Sequence, residues 1–334
     1  MFLKQLEYLV AVIEENHFGR AAARCNVTQP SLSNGIKQLE LELGVTLFKR
    51  GRGQRLYGIT AEGEKVASWG RLIIANFSAL SNSIAEMQGN LHGKLSIGAM
   101  PSMSPVLPII LQRIRKAYPG LSVDVRFVGN DEIKIGLDNY SLDCAITYVD
   151  DADALGWCNV LPVFTETWGL LVPDSFEFED VEEITWKDAA KLPFALLRQS
   201  MHERRIIDST FSLAGCEVVP KIESESILHL MFQTQYTELC TVIPYHFTRM
   251  PGLHEGTKVL LLKDPVVRKE VGLFWVKAET EMPMSRIAVE ISKELSDSGE
   301  LHNFLYGPKQ FMVGDDEDNQ SDGYAAIKEA AGLD

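Results

Sequence analysis

Two stretches near the N-terminus carry side chains whose types and spacing suit a polyanion and the edges of its bases. In the first, Thr28-Gln29-Pro30-Ser31-Leu32-Ser33-Asn34-Gly35-Ile36-Lys37, polar residues alternate with an apolar stripe that continues to Leu39 and Leu43. The amides of Gln29 and Asn34 can donate to and accept from adenine at once, and Ser31, Ser33 and Lys37 suit bases or phosphates. The second, Lys49-Arg50-Gly51-Arg52-Gly53-Gln54-Arg55, puts four cations within seven residues on a glycine-punctuated segment. Arginines on such a tip suit phosphates or a minor groove. Taken alone, the cluster is equally a solvated charged loop, and its place in the fold decides between the two.

The surrounding pattern supplies that place. Leu3, Leu6, Val10 and Ile13 recur at three and four residues, which predicts an amphipathic helix. Phe18 to Cys25 reads as a short Ala-rich helix. Thr28 is placed to cap a third helix with Pro30 in its first turn and Gly44 at its end. The polar row then lies at the N-terminal end of that helix, where a groove-reading helix needs it. Val45-Thr46-Leu47-Phe48 and Leu56-Tyr57-Gly58-Ile59 flank the basic tip as two strands, so residues 1–60 read as a winged helix-turn-helix.

This stretch resembles the N-terminal domain of LysR-type transcriptional regulators. The match is carried by Leu6-Glu7-Tyr8-Leu9-Val10-Ala11-Val12, Phe18-Gly19-Arg20-Ala21-Ala22, Val27-Thr28-Gln29-Pro30-Ser31-Leu32-Ser33, Ile36-Lys37-Gln38-Leu39-Glu40, Leu43-Gly44-Val45-Thr46-Leu47-Phe48 and Thr60-Ala61-Glu62-Gly63. The chain departs from the pattern at Asn34-Gly35, in the order of its wing, and at His17, where a helix-capping Ser is common. The resemblance implies double-stranded promoter DNA as partner, contacted by Thr28, Gln29, Pro30, Ser31, Ser33, Asn34, Lys37, Arg50, Arg52 and Arg55, with RNA polymerase as a further partner.

From Thr60, Val66, Trp69, Ile73, Phe77, Leu80, Ile84 and Met87 repeat at three or four residues. A stripe this long and narrow predicts a helix that pairs with a second copy of itself. The bland alternative is a helix packed on its own domain. The resemblance implies a dimerising linker over 61–91, and a homotetramer of two such dimers.

From Gly93 onward strands and helices alternate, which predicts α/β units with largely parallel sheets. Strands are expected at 94–99, 121–128 and 144–148, and helices at 106–115 and 133–140. A similar series begins at Phe164–Val172. It continues through 192–197, 204–213, 218–223, 227–235 and 239–243, and a late strand (270–276) and helix (285–295) return to the first lobe. Polar loops fall at strand ends, where such sheets bind ligands. The overall expectation is α/β: a winged helix-turn-helix, a linker helix, and a two-lobed effector domain over 92–311 resembling periplasmic binding proteins. Its first lobe takes 92–163 and 267–305, its second 164–266. By resemblance Ser102, with Ser104 in the same loop, and Asn130 face Gln199, Ser200 and Ser226 across an interlobe cleft. His202 and Arg198 are candidates to meet a small anion.

Composition narrows the rest. The 334 residues carry a formal charge of −14. Residues 1–60 nevertheless hold eight Lys/Arg against five Asp/Glu, and residues 312–334 hold one Lys against seven Asp/Glu. A basic head on an acidic chain is the asymmetry of a protein that meets a polyanion at one end; the acidic end reads as a flexible tail. No apolar run approaches the ~18 residues of a membrane span, and Met1–Glu7 lacks a signal-like apolar core, so a cytoplasmic location is expected. No GxGxxG, P-loop, HExxH or GxSxG occurs, and seven histidines lie without ligand spacing. The chain is therefore expected to be neither an enzyme nor a cofactor or metal binder. A transporter's solute-binding protein would share the sensor fold but not the basic head. Cys25, Cys144, Cys158, Cys216 and Cys240 are widely spaced and read as small buried hydrophobes, with a redox sensor the minority alternative. If the basic tip touches phosphates, Arg52→Ala weakens binding to all DNA sequences alike and lowers the salt slope by about 1, measured by titration across a salt series; a loss confined to one sequence would displace the tip from that role.

Overall fold

The computed structural model describes residues 2–50, 56–152, 156–176, 178, 181–250, 255–278 and 282–307. Arg52, Arg55 and the acidic segment 312–334 lie outside the described residues.

The head is built from α1 (Phe2–Glu15), α2 (Phe18–Arg24), α3 (Gln29–Leu43) and a hairpin of β1 (Phe48–Arg50) and β2 (Leu56–Ile59). Leu6, Leu9 and Val12 of α1, Ala21 and Ala22 of α2, and Leu32, Ile36 and Leu39 of α3 close one core. The buried face of α1 is displaced from the expected stripe. Leu9 and Val12 are buried while Leu3, Val10 and Ile13 are only partly so, because α1 packs against α2, α3 and the linker together. His17 performs the capping that its position requires: its Nδ1 accepts from Gly19 N at 3.0 Å and Arg20 N at 3.2 Å. The first wing strand begins at Phe48 rather than Val45. Leu47 N donates to Glu40 Oε1 (2.9 Å) and Leu47 O accepts from Thr60 N (3.0 Å), so this residue ties α3 to the linker instead of joining a ladder.

The linker, α4 (Ala61–Met87), is capped by Thr60, whose Oγ1 accepts from Gly63 N at 2.9 Å. Glu62 and Glu64 sit near the positive end of its dipole. Its residues Trp69, Phe77, Leu80 and Ile84 are 50–57 % exposed and Met87 89 %. No core among the described residues covers that face.

The first lobe's sheet has the order β4-β3-β5-β13-β6, from β3 (Gly93–Ala99), β4 (Leu121–Phe127), β5 (Cys144–Tyr148), β6 (Cys158–Glu166) and, late in the chain, β13 (Lys269–Val276). β3 pairs parallel with β4 and β5, and β13 antiparallel with β5 and β6. The helices α5 (Leu107–Ala117) and α10 (Pro283–Asp297) cover one face, and α6 (Asn130–Asp138) the other. A last helix, α11 (Glu300–Tyr306), packs on α10. The second lobe's sheet runs β11-β7-β12-β8, from β7 (Trp168–Pro173), β8 (Glu183–Thr185), β11 (Thr241–Pro244) and β12 (Thr257–Lys263). A parallel pair, β9 (Ala195–Leu197) and β10 (Ile222–Ser224), joins its edge through a bridge between Phe194 and Cys240. The short α7 (Trp186–Ala189) and α8 (His202–Leu213) pack on one face, and α9 (Ile227–Tyr236) on the other. All six residues of β7 are buried, as a strand covered on both faces must be.

Residues 164–172 are thus not one strand. β6 runs on to Glu166 in the first lobe, past the expected boundary at 163, and the chain crosses at Thr167 into β7. It returns between Lys263 of β12 and Lys269 of β13. Strand β10 starts only at Ile222, after Pro220, which has no N–H for a ladder. No helix among the described residues is long and apolar enough to cross a membrane.

A Cβ on Gly63 would lie 2.3 Å from Leu47 O, a backbone atom that already serves Thr60. Gly63→Ala is expected to destabilise the head by about 1–3 kcal/mol, measured by urea unfolding followed at the head; unchanged stability would show that the linker start can shift away from the hairpin.

Candidate functional site: the head surface and the interlobe cluster

On the head, Thr28 Oγ1 accepts from Ser31 N at 3.4 Å and opens α3. The apolar stripe turns inward: Leu32, Ile36 and Leu39 are 0 % exposed. Thr28, Gln29, Pro30, Ser31, Asn34 and Lys37 are consequently exposed and Ser33 half-buried, all on or just before the first two and a half turns. Gly35 has a packing reason, since a Cβ there would lie 2.7 Å from the Tyr8 ring. Arg20 and Arg24 are engaged with Glu15 and Glu14. Lys37 has no ion pair among the described residues and remains a cation beside the polar row. Arg50 closes β1, the first strand of the wing.

Between the lobes the structure assembles a buried polar cluster. Ser102, 0 % exposed, follows β3, and its Oγ donates to Glu203 Oε1 of α8 at 3.5 Å. Its carbonyl accepts from His246 Nε2 at 3.2 Å. Tyr148, ending β5, donates to Glu166 Oε1 at 2.5 Å. Glu166 Oε2 and His246 Nδ1 face each other at 3.9 Å, and neither atom has a hydrogen-bond partner among the described residues. The His202 ring lies 5.3 Å from that of Tyr148. These contacts join the first lobe (Ser102, Tyr148, Glu166) to the second (His202, Glu203, His246).

Of the residues expected from the sequence, Ser102 and His202 are in this cluster. Asn130 Oδ1 accepts from Thr147 Oγ1 at 2.9 Å within the first lobe. Ser104, Gln199 and Ser200 are exposed on their loops. Ser226 caps α9, accepting from His229 N at 3.2 Å, and Arg198 pairs with Glu225. Tyr148, Glu166, Glu203 and His246 were not singled out from the sequence. Glu166 left one trace, a carboxylate inside the otherwise uncharged run Val163 to Val172. Arg204 left none: it is 2 % exposed and holds Leu197 O, Asp208 and Glu223, tying α8 to β9 and β10.

Burial sets the charges. It pushes the Glu166 carboxyl up to about 8, with the Tyr148 hydrogen bond opposing and the Glu203 carboxylate adding. It also raises Glu203 and lowers His246 to about 4 and His202 to about 4. At neutral pH Glu166 is mainly protonated and both histidines are neutral. Burial also holds thiols in their neutral form: it pushes Cys158 and Cys240 up to about 12 and raises Cys144 and Cys25. No group of His, Cys, Asp and Glu among the described residues could hold a metal.

A capped helix beside a wing, joined through a long helix to two α/β lobes that meet on a polar cluster, is the architecture of a regulator with a helix-turn-helix head and a substrate-binding domain. Residues 3–64 match the family model of the bacterial regulatory helix-turn-helix protein, lysR family, and residues 88–296 match the LysR substrate binding domain. The chain belongs to the LysR family. Over 286 residues, 82 % of this chain and 90 % of the relative, it is 33 % identical to a hydrogen peroxide-inducible genes activator of Haemophilus influenzae. The matches to activators of the same description from Pectobacterium carotovorum and Dickeya chrysanthemi span 62 % and 61 % of those relatives' lengths. The fold superposes on a full-length OxyR variant from Pseudomonas aeruginosa with a TM-score of 0.70 at 24 % identity, covering 94 % of this chain and 99 % of that one. For full-length CbnR complexed with its target DNA the TM-score is 0.61 at 19 % identity, covering 88 % and 99 %.

Glu166 keeps its proton in the folded protein up to about 8 but loses it near 4.5 when unfolded, so folding stability falls as pH rises between those values. His246 acts oppositely, adding stability as pH rises from about 4 to 6.5. Between pH 6.5 and 8 the Glu166 slope stands alone of the two. Glu166→Gln is expected to flatten the decline in the effector lobes' thermal midpoint over that window; an unchanged slope would mean that Glu166 is already ionised in the fold.

Proposed function

We propose that this protein is a ligand-responsive transcriptional regulator, without enzymatic activity of its own, working in the cytoplasm. The observation that carries the proposal is the exposed polar row on the capped end of α3 in a head attached to a two-lobed sensor. Gln29, Ser31, Ser33 and Asn34 enter a major groove, with Thr28 and Pro30 setting the helix end against the backbone. Lys37, Arg50, Arg52 and Arg55 contact flanking phosphates. Two copies pair through the apolar face of α4 and place two heads on successive half-sites, and two such dimers form a tetramer able to contact RNA polymerase.

The effector in this reading is a small anion between the lobes, met by Ser102, His202 and the groups around them. A protonated Glu166 donates to an anion where an ionised one would repel it. Asn130, Ser104, Gln199, Ser200 and Ser226 line the approach once the lobes part. Occupancy changes how the lobes close, and a coupling of ~1–3 kcal/mol to the heads suffices for regulation.

Binding-site selection with Gln29→Ala is expected to relax preference at one position in each half-site, at a cost of about 1–3 kcal/mol; an unchanged profile removes Gln29 from the readout. Ser102→Ala is expected to shift the effector dose-response while DNA affinity without effector stays the same. An unaltered curve would move the effector site away from Ser102.

A further inference from the structure

The geometry points to a second anion site, at the junction of head, linker and first lobe and away from the interlobe cluster, that takes a small oxyanion, phosphate or carboxylate. A cavity of about 360 Å³ lies there, within the range of small-molecule sites. Its walls come from three parts of the chain: Glu14 and Arg24 of the head, Arg71, Ser78 and Asn82 of α4, and the start of β3 with the loop before β5.

Arg71 carries the argument. It lines the cavity half-buried, its Nε is buried without a hydrogen-bond partner, and it has no ion pair among the described residues. A half-buried guanidinium with no paired carboxylate is open to an acceptor, and an oxyanion supplies a hydrogen-bond acceptor and a countercharge. The other cations around the cavity are already matched, Arg24 by Glu14 and both Lys94 and Arg126 by Asp124. Asp143, the acid on the lobe side, is turned onto Ser96 N at 2.7 Å. Arg71 is therefore the cation left for a ligand, with the Ser78 hydroxyl and the Asn82 amide about two and three turns further along the helix.

Arg71, Ser78 and Asn82 lie on the side of α4 about 160° around from the exposed stripe of Trp69, Phe77, Leu80 and Ile84, at ~100° per residue. A second copy seated on the stripe leaves the cavity open. Because the walls belong to both the linker and the first lobe, an occupant holds the lobe against the linker, alongside the Arg286–Glu86 ion pair that already joins α10 to α4.

The test uses the full chain, with inorganic phosphate and citrate as probes against chloride at equal ionic strength. Thermal midpoint and hydrogen exchange are the readouts. Either probe is expected to raise the midpoint beyond chloride and to protect segments 71–82 and 139–143, and the two arms tell phosphate from carboxylate. Arg71→Gln is expected to weaken the effect about tenfold, Arg71→Lys to keep part of it, and Ser102→Ala to leave it intact. Ser78→Leu, which fills the cavity with Arg71 in place, is expected to abolish it and covers the case that Arg71→Gln does not fold. No response to either probe, protection elsewhere only, or an equal response in Arg71→Gln and Ser78→Leu overturns the proposal.

Discussion

The apolar face of α4 is the constraint on which the rest of the molecule depends. Its large side chains, Trp69, Phe77, Leu80, Ile84 and Met87, are at least half exposed along most of a 27-residue helix. Single exposed apolar residues need no explanation, but a contiguous row does. The neighbouring faces of α4 are used: Gly63 and Ala67 meet the head core and hairpin, Gly70 meets Leu6, and Glu86 meets Arg286 of the first lobe. Whatever covers the stripe therefore sets the positions of head and sensor at once. In the proposed dimer that cover is a second α4, and the spacing of two reading helices follows from it.

The sensor is governed by a second constraint, the cost of burying ionisable groups where two lobes meet. Neither lobe could bury Glu166 or Glu203 alone in charged form. Closing them on each other keeps a proton on Glu166, raises Glu203 and takes the proton off His246. The Glu166–His246 pair, 3.9 Å apart, leaves an unpartnered atom on each side. Glu166 sits one residue from the Thr167 crossing between the lobes. A cluster that is paired across the lobes yet incompletely satisfied suits a joint that opens and closes better than one that stays fixed.

Much of the head was legible in the sequence because its signals are local. Thr28, Pro30 and Gly44 mark the ends of α3 by chemistry that does not depend on distant residues, and Thr60 does the same for α4. The stripe of α4 was legible as unpaired for the same reason. Legibility failed where tertiary contacts decide. Leu47 left the expected strand because Glu40 and Thr60 claim its backbone, and His17 caps α2 although a histidine is not an obvious cap. In the sensor, the strands at 94–99 and 144–148 stood out as apolar runs, while β6, β8 and β12 did not. The cleft was the least legible part. Ser102 was named through the family resemblance and His202 as a candidate for an anion, but Glu166, Glu203 and His246 come together only through the two chain crossings, and no spacing in sequence encodes their proximity.

In the proposed mode of action two linked heads read two half-sites under the control of one sensor. The most direct measurement is a footprint of the full chain on DNA upstream of its own gene, taken across a salt series with random-sequence competitor. Protection of two half-sites separated by whole helical turns of about 10 bp, resistant to competitor, is expected. Protection of one isolated half-site, or binding no tighter than to random DNA there and at every site recovered by genome-wide selection, would contradict it.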